Sequence, residues 1–598
     1  MKNIRIFLWV GLALILFVNY QTWVLDYKAK DDAAKAAEVQ AAEAANAAAP
    51  LAAEVPQAGV QTAAQPVPGT TPAATTSGTA DVPTVPAPNG SPQPAPAGAN
   101  AVATAPVINV RTDVLDVDVS LRGGELLRAD LLAYPVQKGK AELVRLLRNN
   151  GTGDQYLLQT GLAGVGAEAA TGEYPTHLVN FSSDSTSFVL QPGMDELRVP
   201  LTWTSASGVS VVKTLVFRRG GYRVDIEYAV TNGSQAAWSV APYEQILHDR
   251  PPVKRSYFNV NSYAFTGPAL YDGEKYQKLK VTDAEDANLD QELTGAWMAA
   301  LQHHFVTAIV PARDEANRYT LRARSRVQKV GGKDVDLVEF RITVVGPTHS
   351  IAAGASEVIK ETVYVGPKLQ QQLDAIHPEL SRAADYGMLT FLSRPLFWLL
   401  EKAHSLFRNW GFAIIAVTFL LKLLFYPLSE ASGRSMAKMK LVAPRIKQIQ
   451  ETYKDDREKL GRATMELYKK EKVNPAASCL PMLIQLPVFL AFYWVLLESV
   501  EMRQAPFVGW IQDLSVRDPL FILPAIMAAA MFVQYKLNPA PPDPIQAKVM
   551  MILPLVMSVT FAFFPAGLVL YWVTNTLLTI AQQWNINRRI EAANAPRD

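Results

Sequence analysis

Apolar residues are gathered into long blocks near the two ends of the chain, while the stretch between them alternates apolar and polar positions with a period of two. The first block, Ile6 to Val18 (IFLWVGLALILFV), is 13 apolar residues behind Lys2 and Arg5, which is the length and flank of a signal-peptide core. No small-x-small cleavage site follows in NYQTWVLD, and Tyr20 and Trp23 suit a membrane-water interface. Residues 1–28 therefore read as an uncleaved transmembrane anchor rather than a removed signal peptide. Either way the next segment is exported, because the N-terminal positive charges stay on the cytoplasmic side.

Residues 29–105 are Ala, Pro, Thr, Gly and Gln with almost no aromatics. Such a composition buries too little apolar surface to offset its ordering entropy and predicts a disordered tether. From 106 to 385 short runs of β-branched and aromatic residues are punctuated by Gly, Asn, Asp and Pro, and strands are expected. In LTWTSASGVSVVKTLVFRRGGYRVDIEYAVTNGS, Ser207-Gly208 and Gly220-Gly221 mark turns of an antiparallel meander. Ten or more strands in this length predict a large β-sandwich outside the cytoplasm.

Helical periodicity then takes over. Segment 386–408 is amphipathic, with Phe391, Leu392, Pro395, Leu396, Leu399 and Leu400 on one side, and suits a helix lying along a bilayer surface. Five apolar segments follow within 409–587: Trp410 to Leu428, Cys479 to Leu497, Leu520 to Leu537, Val549 to Phe564, and Gly567 to Ile580. Each approaches the ~20 residues a bilayer requires. Between the first two, the segment 429–477 carries twelve Lys and Arg against seven acids, whereas Glu501 to Asp518 has only Arg503 and Arg517 as bases. The positive-inside rule then sets both termini, including the tail 588–598, in the cytoplasm and the β-domain in the periplasm. The fold class is thus an α + β membrane protein with six transmembrane helices, one anchor plus a five-helix core, and a periplasmic β-sandwich.

Net charge of +2 and 19% charged residues would suit a soluble enzyme, but these means conceal the segregation just described. The one cysteine, Cys479, excludes an intrachain disulfide and Cys-pair zinc sites. No P-loop occurs, since Gly331-Gly332-Lys333 lacks the upstream glycine and the following Ser or Thr. His303-His304 falls in an expected strand, ALQHHFVTAIV, where neighbours point to opposite faces and suit core or surface roles better than chelation. No cofactor and no covalent chemistry is expected.

The anomaly is Lys422, which interrupts NWGFAIIAVTFLLKLLFYPL. A charge within a span costs a few kcal/mol and is a functional hypothesis by default. It could also snorkel to headgroups, lying about six residues, or ~9 Å of helix, from Leu428. Thr418, Lys422 and Tyr426 fall at i, i+4 and i+8, a polar stripe on one face. Tyr571, Asn575, Thr579 and Gln582 repeat the pattern in the last span, and Gln485 sits between Pro481 and Pro487. Singly, such polar groups serve more often as glue between helices; together they predict one wet cavity. The segment 429–477 reads as two amphipathic helices broken near Tyr453 to Arg457. It is either a solvated charged hairpin or, through Met436 and Met439, a receiver of varied apolar segments.

With these residues in view, the sequence resembles the YidC family of bacterial inner-membrane insertases over nearly its whole length. The blocks NWGFAIIAVTF, FYPL, SMAKMK, PRIKQIQ, LYKKEKVNP, LIQLPVFLAFYW, VEMRQAPFVGWIQDLS and FPAGLVLYW carry the resemblance in order. It implies a periplasmic β-supersandwich and a five-helix core around a hydrophilic groove open to cytoplasm and lipid. It also implies nascent membrane proteins as substrates, and as partners the lipid bilayer, the SecYEG translocon with SecDF, and a weak or transient contact with the ribosome. No ATP hydrolysis and no specific nucleic acid are implied. By matching, Thr418, Tyr426 and Tyr571 fall on groove or substrate-contact positions. Two departures stand out: Lys422 replaces the usual groove arginine, losing the guanidinium fork, and Trp572 stands where a tyrosine is common. An ion relay and a tethered sugar-modifying enzyme are the rival classes, but no inverted repeat and no convergent acid pair is visible.

Overall fold

The computed structural model describes Pro56 and residues 106–150, 154–166, 172–250, 264–281, 284–330, 333–453, 456–471, 480–537 and 544–593. The expected anchor, almost all of the tether, Cys479, Gly331-Gly332 and the end of the tail lie outside them. Among the described residues nineteen strands run from β1 (Val107–Arg111) to β19 (Ser356–Pro367) and form an eleven-stranded and an eight-stranded sheet.

The meander read from the sequence is β7 (Glu196–Thr204), β8 (Val209–Arg218) and β9 (Arg223–Asn232), paired antiparallel in the smaller sheet. Leu197, Val199, Leu201 and Trp203 face inward at alternate positions, as do Val209, Val211 and Leu215 on the next strand. Each such side chain contributes roughly 1.5–3 kcal/mol on burial. The larger sheet is centred on β10 (Trp238–Arg250), which pairs with β5 (Gln155–Gly164) on one side and β17 (Lys333–Val345) on the other.

One inward position of β8 is not apolar. Lys213 is fully buried, and its Nζ donates to the carbonyls of Gly123 (2.7 Å), Gly124 (3.3 Å) and Thr160 (3.1 Å). Three acceptors match the three protons of an ammonium. Thr160 belongs to the opposite sheet, so this side chain ties the two layers together. The carbonyls turn inward because Gly123 and Gly124 take φ of +72° and +62°, and a Cβ on Gly124 would lie 2.8 Å from Leu201.

The β-domain does not end at its own last strand. Val500, from a short turn far along the chain, is 1% exposed and completes the β-domain core. Beside it Tyr386 and Ser499 share a hydrogen bond of 3.1 Å, and Arg503 and Gln504 both donate to Pro135 O, each at 2.7 Å. His303-His304 corrects the expectation of a strand. The pair forms the bend between β14 (Trp297–Leu301) and β15 (Phe305–Ile309), with rings 3.8 Å apart. His303 Nε2 lies 2.9 Å from Leu497 O, so this bend is part of the same docking surface.

The helical part follows a short α1 (Gln370–Ile376). Helix α2 (Thr390–Phe407) is the expected amphipathic segment, with a division of faces the sequence did not show. Leu396, Phe397 and Leu400 pack inward, while Phe391, Trp398 and Leu406 point out. Then come α3 (Trp410–Leu424), α4 (Tyr426–Thr452), α5 (Arg457–Lys470), α6 (Leu480–Glu498), α7 (Ile522–Leu537), α8 (Pro544–Phe561) and α9 (Ala566–Ala593). Asn409 caps α3 by accepting from Phe412 N, and Asp456 caps α5 by accepting from Glu458 and Lys459 N. Helices α4 and α5 are the expected hairpin, closed by Met439, Val442, Ile446, Leu467 and Tyr468.

Among the described residues no single helix is long and apolar enough to cross a membrane. Helix α3 and the first part of α4 pass that test together, but they are bent by 65° at Phe425. Outward-facing apolar side chains cover the bundle, including Leu423 and Leu424 on α3, Phe532 and Val533 on α7, and Ile552, Leu555 and Val559 on α8. A soluble protein rarely exposes so continuous an apolar surface, and a hydrocarbon environment accounts for it.

Candidate functional site

The bend at Phe425 sets the geometry of the site. Phe425 has φ −89° and ψ 8°, and Pro427 stands in the first turn of α4, where its missing N–H costs nothing. Lys422 is consequently in the last turn of α3 rather than in the middle of a long span.

Around it lies a cavity of roughly 440 Å³ of empty space, part of it open to solvent. Helices α3 and α4 and their joint supply Thr418, Leu421, Lys422, Phe425, Leu428 and Ser429; α6 supplies Gln485 and Val488; α9 supplies Tyr571 and Asn575. Thr418 donates to Ile414 O at 2.6 Å, which spends its proton within the helix and leaves its oxygen lone pairs as acceptors. The Tyr571 ring stacks on Phe492 with centroids 4.6 Å apart. Lys422 Nζ donates to Thr579 Oγ1 of α9 at 2.8 Å, and among the described residues it makes no ion pair. The lysine thus reaches across to a neighbouring helix, not out along its own axis.

Towards the β-domain the cavity is closed. Ala413, Ile414, Val417, Phe492, Val495, Ile511 and Leu514 form a dry core at that end of the bundle. Gly411 lets Phe507 press directly onto α3; a Cβ there would fall 2.0 Å from the ring.

The structure thus gathers Thr418, Lys422, Gln485, Tyr571 and Asn575 at one cavity and leaves other expected residues apart. Tyr426 does not line it, because the 65° bend breaks the i, i+4, i+8 stripe and puts Phe425, Leu428 and Ser429 in its place. The signal for this was Pro427, a residue favoured at the start of a helix. Trp572 faces the apolar cluster of Phe489 (4.8 Å, edge-on) and Phe561 (5.2 Å). Met439 packs into the hairpin's own core, whereas Met465 on α5 is exposed. Met436 lies on α4, but its side chain is outside the described set. Among the described residues no group of three His, Cys, Asp or Glu is placed to hold a metal ion.

Comparison with known proteins agrees with this layout. A family model described as "YidC periplasmic domain" matches residues 107–399, and one described as "60Kd inner membrane protein" matches residues 402–593. The membrane protein insertase YidC of Thioalkalivibrio sulfidiphilus is 45% identical over 596 residues, covering 99% of each chain. That of Azotobacter vinelandii is 42% identical over 591 residues, covering 98% of this chain and 99% of its own. A solved active YidC insertase with its first transmembrane domain resolved is matched at 17% identity and a TM-score of 0.35, over 80% of this chain and 94% of that one. The β-domain and the helical bundle thus answer to two halves of a single family, and the chain belongs to the YidC membrane protein insertases.

Proposed function

We propose that this chain inserts nascent membrane proteins into the bacterial inner membrane by drawing a translocated segment into the cavity beside Lys422. The observation that carries the reading is a cation without a carboxylate partner among the described residues, held at a cavity where Thr418, Ser429, Gln485, Tyr571 and Asn575 stand among apolar side chains. Water in such a cavity shortens the hydrophobic barrier. An acidic tail is drawn to Lys422 while the substrate's apolar helix passes along the outward faces of the bundle into lipid.

No nucleotide is needed. Leucine-like residues each contribute roughly 0.3–0.6 kcal/mol on insertion, and the membrane potential adds about 2.3 kcal/mol per charge moved per 100 mV. The reading includes six spans with both termini in the cytoplasm, supported by the twelve-to-seven excess of bases over acids in 429–477. It also includes the SecYEG translocon with SecDF as partners, the ribosome as a weak or transient one, and the α4–α5 hairpin as the first contact for substrates.

The test is insertion of acidic-tailed and neutral-tailed substrates in cells depleted of their own insertase. Lys422→Ala and Lys422→Glu should impair the acidic-tailed class and Lys422→Arg should preserve it. Crosslinks from Thr418, Asn575 and Tyr571 to stalled nascent chains should appear together. Full insertion by both the Ala and the Glu variants would remove the groove charge from the mechanism.

A further inference from the structure

The cavity holds a flexible cation close to a helix end, and what keeps it pointing inward is a separate question from why it is there. A lysine in the last turn of α3 has a stem long enough to carry its ammonium to the headgroup layer. In this structure it turns sideways instead, to Thr579 on α9.

The Thr579 hydroxyl is suited to that partnership. Its single proton is given to Asn575 O at 2.7 Å, one turn back along α9. Only lone pairs are left to face the cavity, so towards Lys422 the group acts purely as an acceptor. The same bond restrains the side-chain rotamer, since a β-branched residue in a helix has few staggered positions to choose from. Asn575 and Tyr571 lie four and eight residues earlier on the same face and both line the cavity. The contact therefore sits at the wall, one turn beyond the cavity residues of α9.

We propose that Thr579 is a positioning residue. Its hydroxyl oxygen holds the Lys422 ammonium at the cavity wall, between α3 and α9, and so presents the charge to an acidic translocated segment rather than to lipid phosphates. A neutral hydroxyl does this without cancelling the charge. An arriving carboxylate forms a stronger, charge-assisted bond and displaces it. A carboxylate at position 579 would hold the lysine equally well but would fill the substrate's place. This inference rests on the groove-charge reading above and adds the residue that makes the charge available.

The experiment uses the full chain in liposomes of phosphatidylethanolamine and phosphatidylglycerol. Two single-span test substrates differ only in carrying two aspartates or two asparagines in the translocated tail. Thr579→Val keeps the shape and removes the acceptor; Thr579→Ser restores it. Thr579→Val should lower insertion of the Asp-tailed substrate by roughly three- to tenfold, the scale of one typical net hydrogen bond. The Asn-tailed substrate should be unaffected, Thr579→Ser should recover most of the loss, and Thr579→Val should add nothing in a Lys422→Ala background. Wild-type insertion by Thr579→Val alongside an impaired Lys422→Ala would overturn the role of Thr579 and leave the groove charge standing. Equal loss on both substrates, or a further loss in the Lys422→Ala background, would reduce Thr579 to packing and overturn it as well. Full activity of Lys422→Ala on the Asp-tailed substrate would remove the groove-charge reading and this inference with it.

Discussion

The Lys368 ammonium lies 4.0 Å from the Glu498 carboxylate, with side chains 2% and 5% exposed, where the exit of the last strand meets the end of α6. Burial pushes the Lys368 pKa down, and the neighbouring carboxylates of Glu498 and Asp385 pull it back up. Asp385 in turn pairs with the exposed Lys278 of the β-domain, so a run of charges leads from the enclosed pair to the surface.

Removing one member of an enclosed pair strands the other, which costs about 3–5 kcal/mol, whereas removing both costs far less. Lys368→Met and Glu498→Gln should each lower the thermal midpoint of the detergent-solubilised protein by many degrees, and the double variant should recover a large part. Additive losses would show that the two groups do not interact.

Lys213 offers a second test, inside the β-domain. Lys213→Met keeps the length of the stem but orphans the carbonyls of Gly123, Gly124 and Thr160, at a cost of about 3 kcal/mol or more. The unfolding midpoint should fall, and amide exchange should accelerate in β5 and β8. Unchanged exchange in both strands would mean that the sheets do not depend on this tie.

Stability should also vary with pH through Glu361, which burial pushes from the usual 4.5 to about 8, with Glu315 adding to the rise; nearby Glu244, wholly enclosed, is raised as well. Between about pH 4.5 and pH 8 the folded chain keeps a proton that the unfolded chain has released. The stabilisation is complete below that window and is lost as pH rises through it. Glu361→Gln, unable to ionise, should flatten this part of the profile and raise the midpoint at pH 8. A wild-type melting curve independent of pH between 5 and 8 would contradict the assignment.

At the closed end of the bundle, Gly411→Ala should be poorly tolerated, because the added Cβ meets the root of the Phe507 side chain and not its flexible tip. Overpacking of this kind costs roughly 1–3 kcal/mol. The loss should be relieved by a second change, Phe507→Ala, and a double variant no better than Gly411→Ala alone would exclude the contact as its cause.

Much of this molecule could be read from its residues. Alternation and the turns at Ser207-Gly208 and Gly220-Gly221 delimited β7 to β9, and Lys422 marked the cavity because charge is expensive in an apolar helix. Thr418, Tyr571 and Asn575 followed from helical spacing, and Gln485 from its place between Pro481 and Pro487. Tyr426 did not, since counting by 3.6 assumes a straight helix and Pro427 begins a new one. His303-His304 was assigned to a strand because bends between short strands leave little compositional trace. The inward packing of Met439 and the seating of Val500 were invisible for another reason: each depends on a partner distant in sequence, and periodicity reports only which face is apolar, never what covers it.

The place of Val500 bears on the order in which the molecule is made. The interior it completes is otherwise built from residues before 384, so a growing chain that has finished every strand still lacks one side chain of its own centre. That piece arrives only after α6 has been synthesised. The core of the β-domain therefore closes late in synthesis, once the helix preceding Val500 has been made and seated against it.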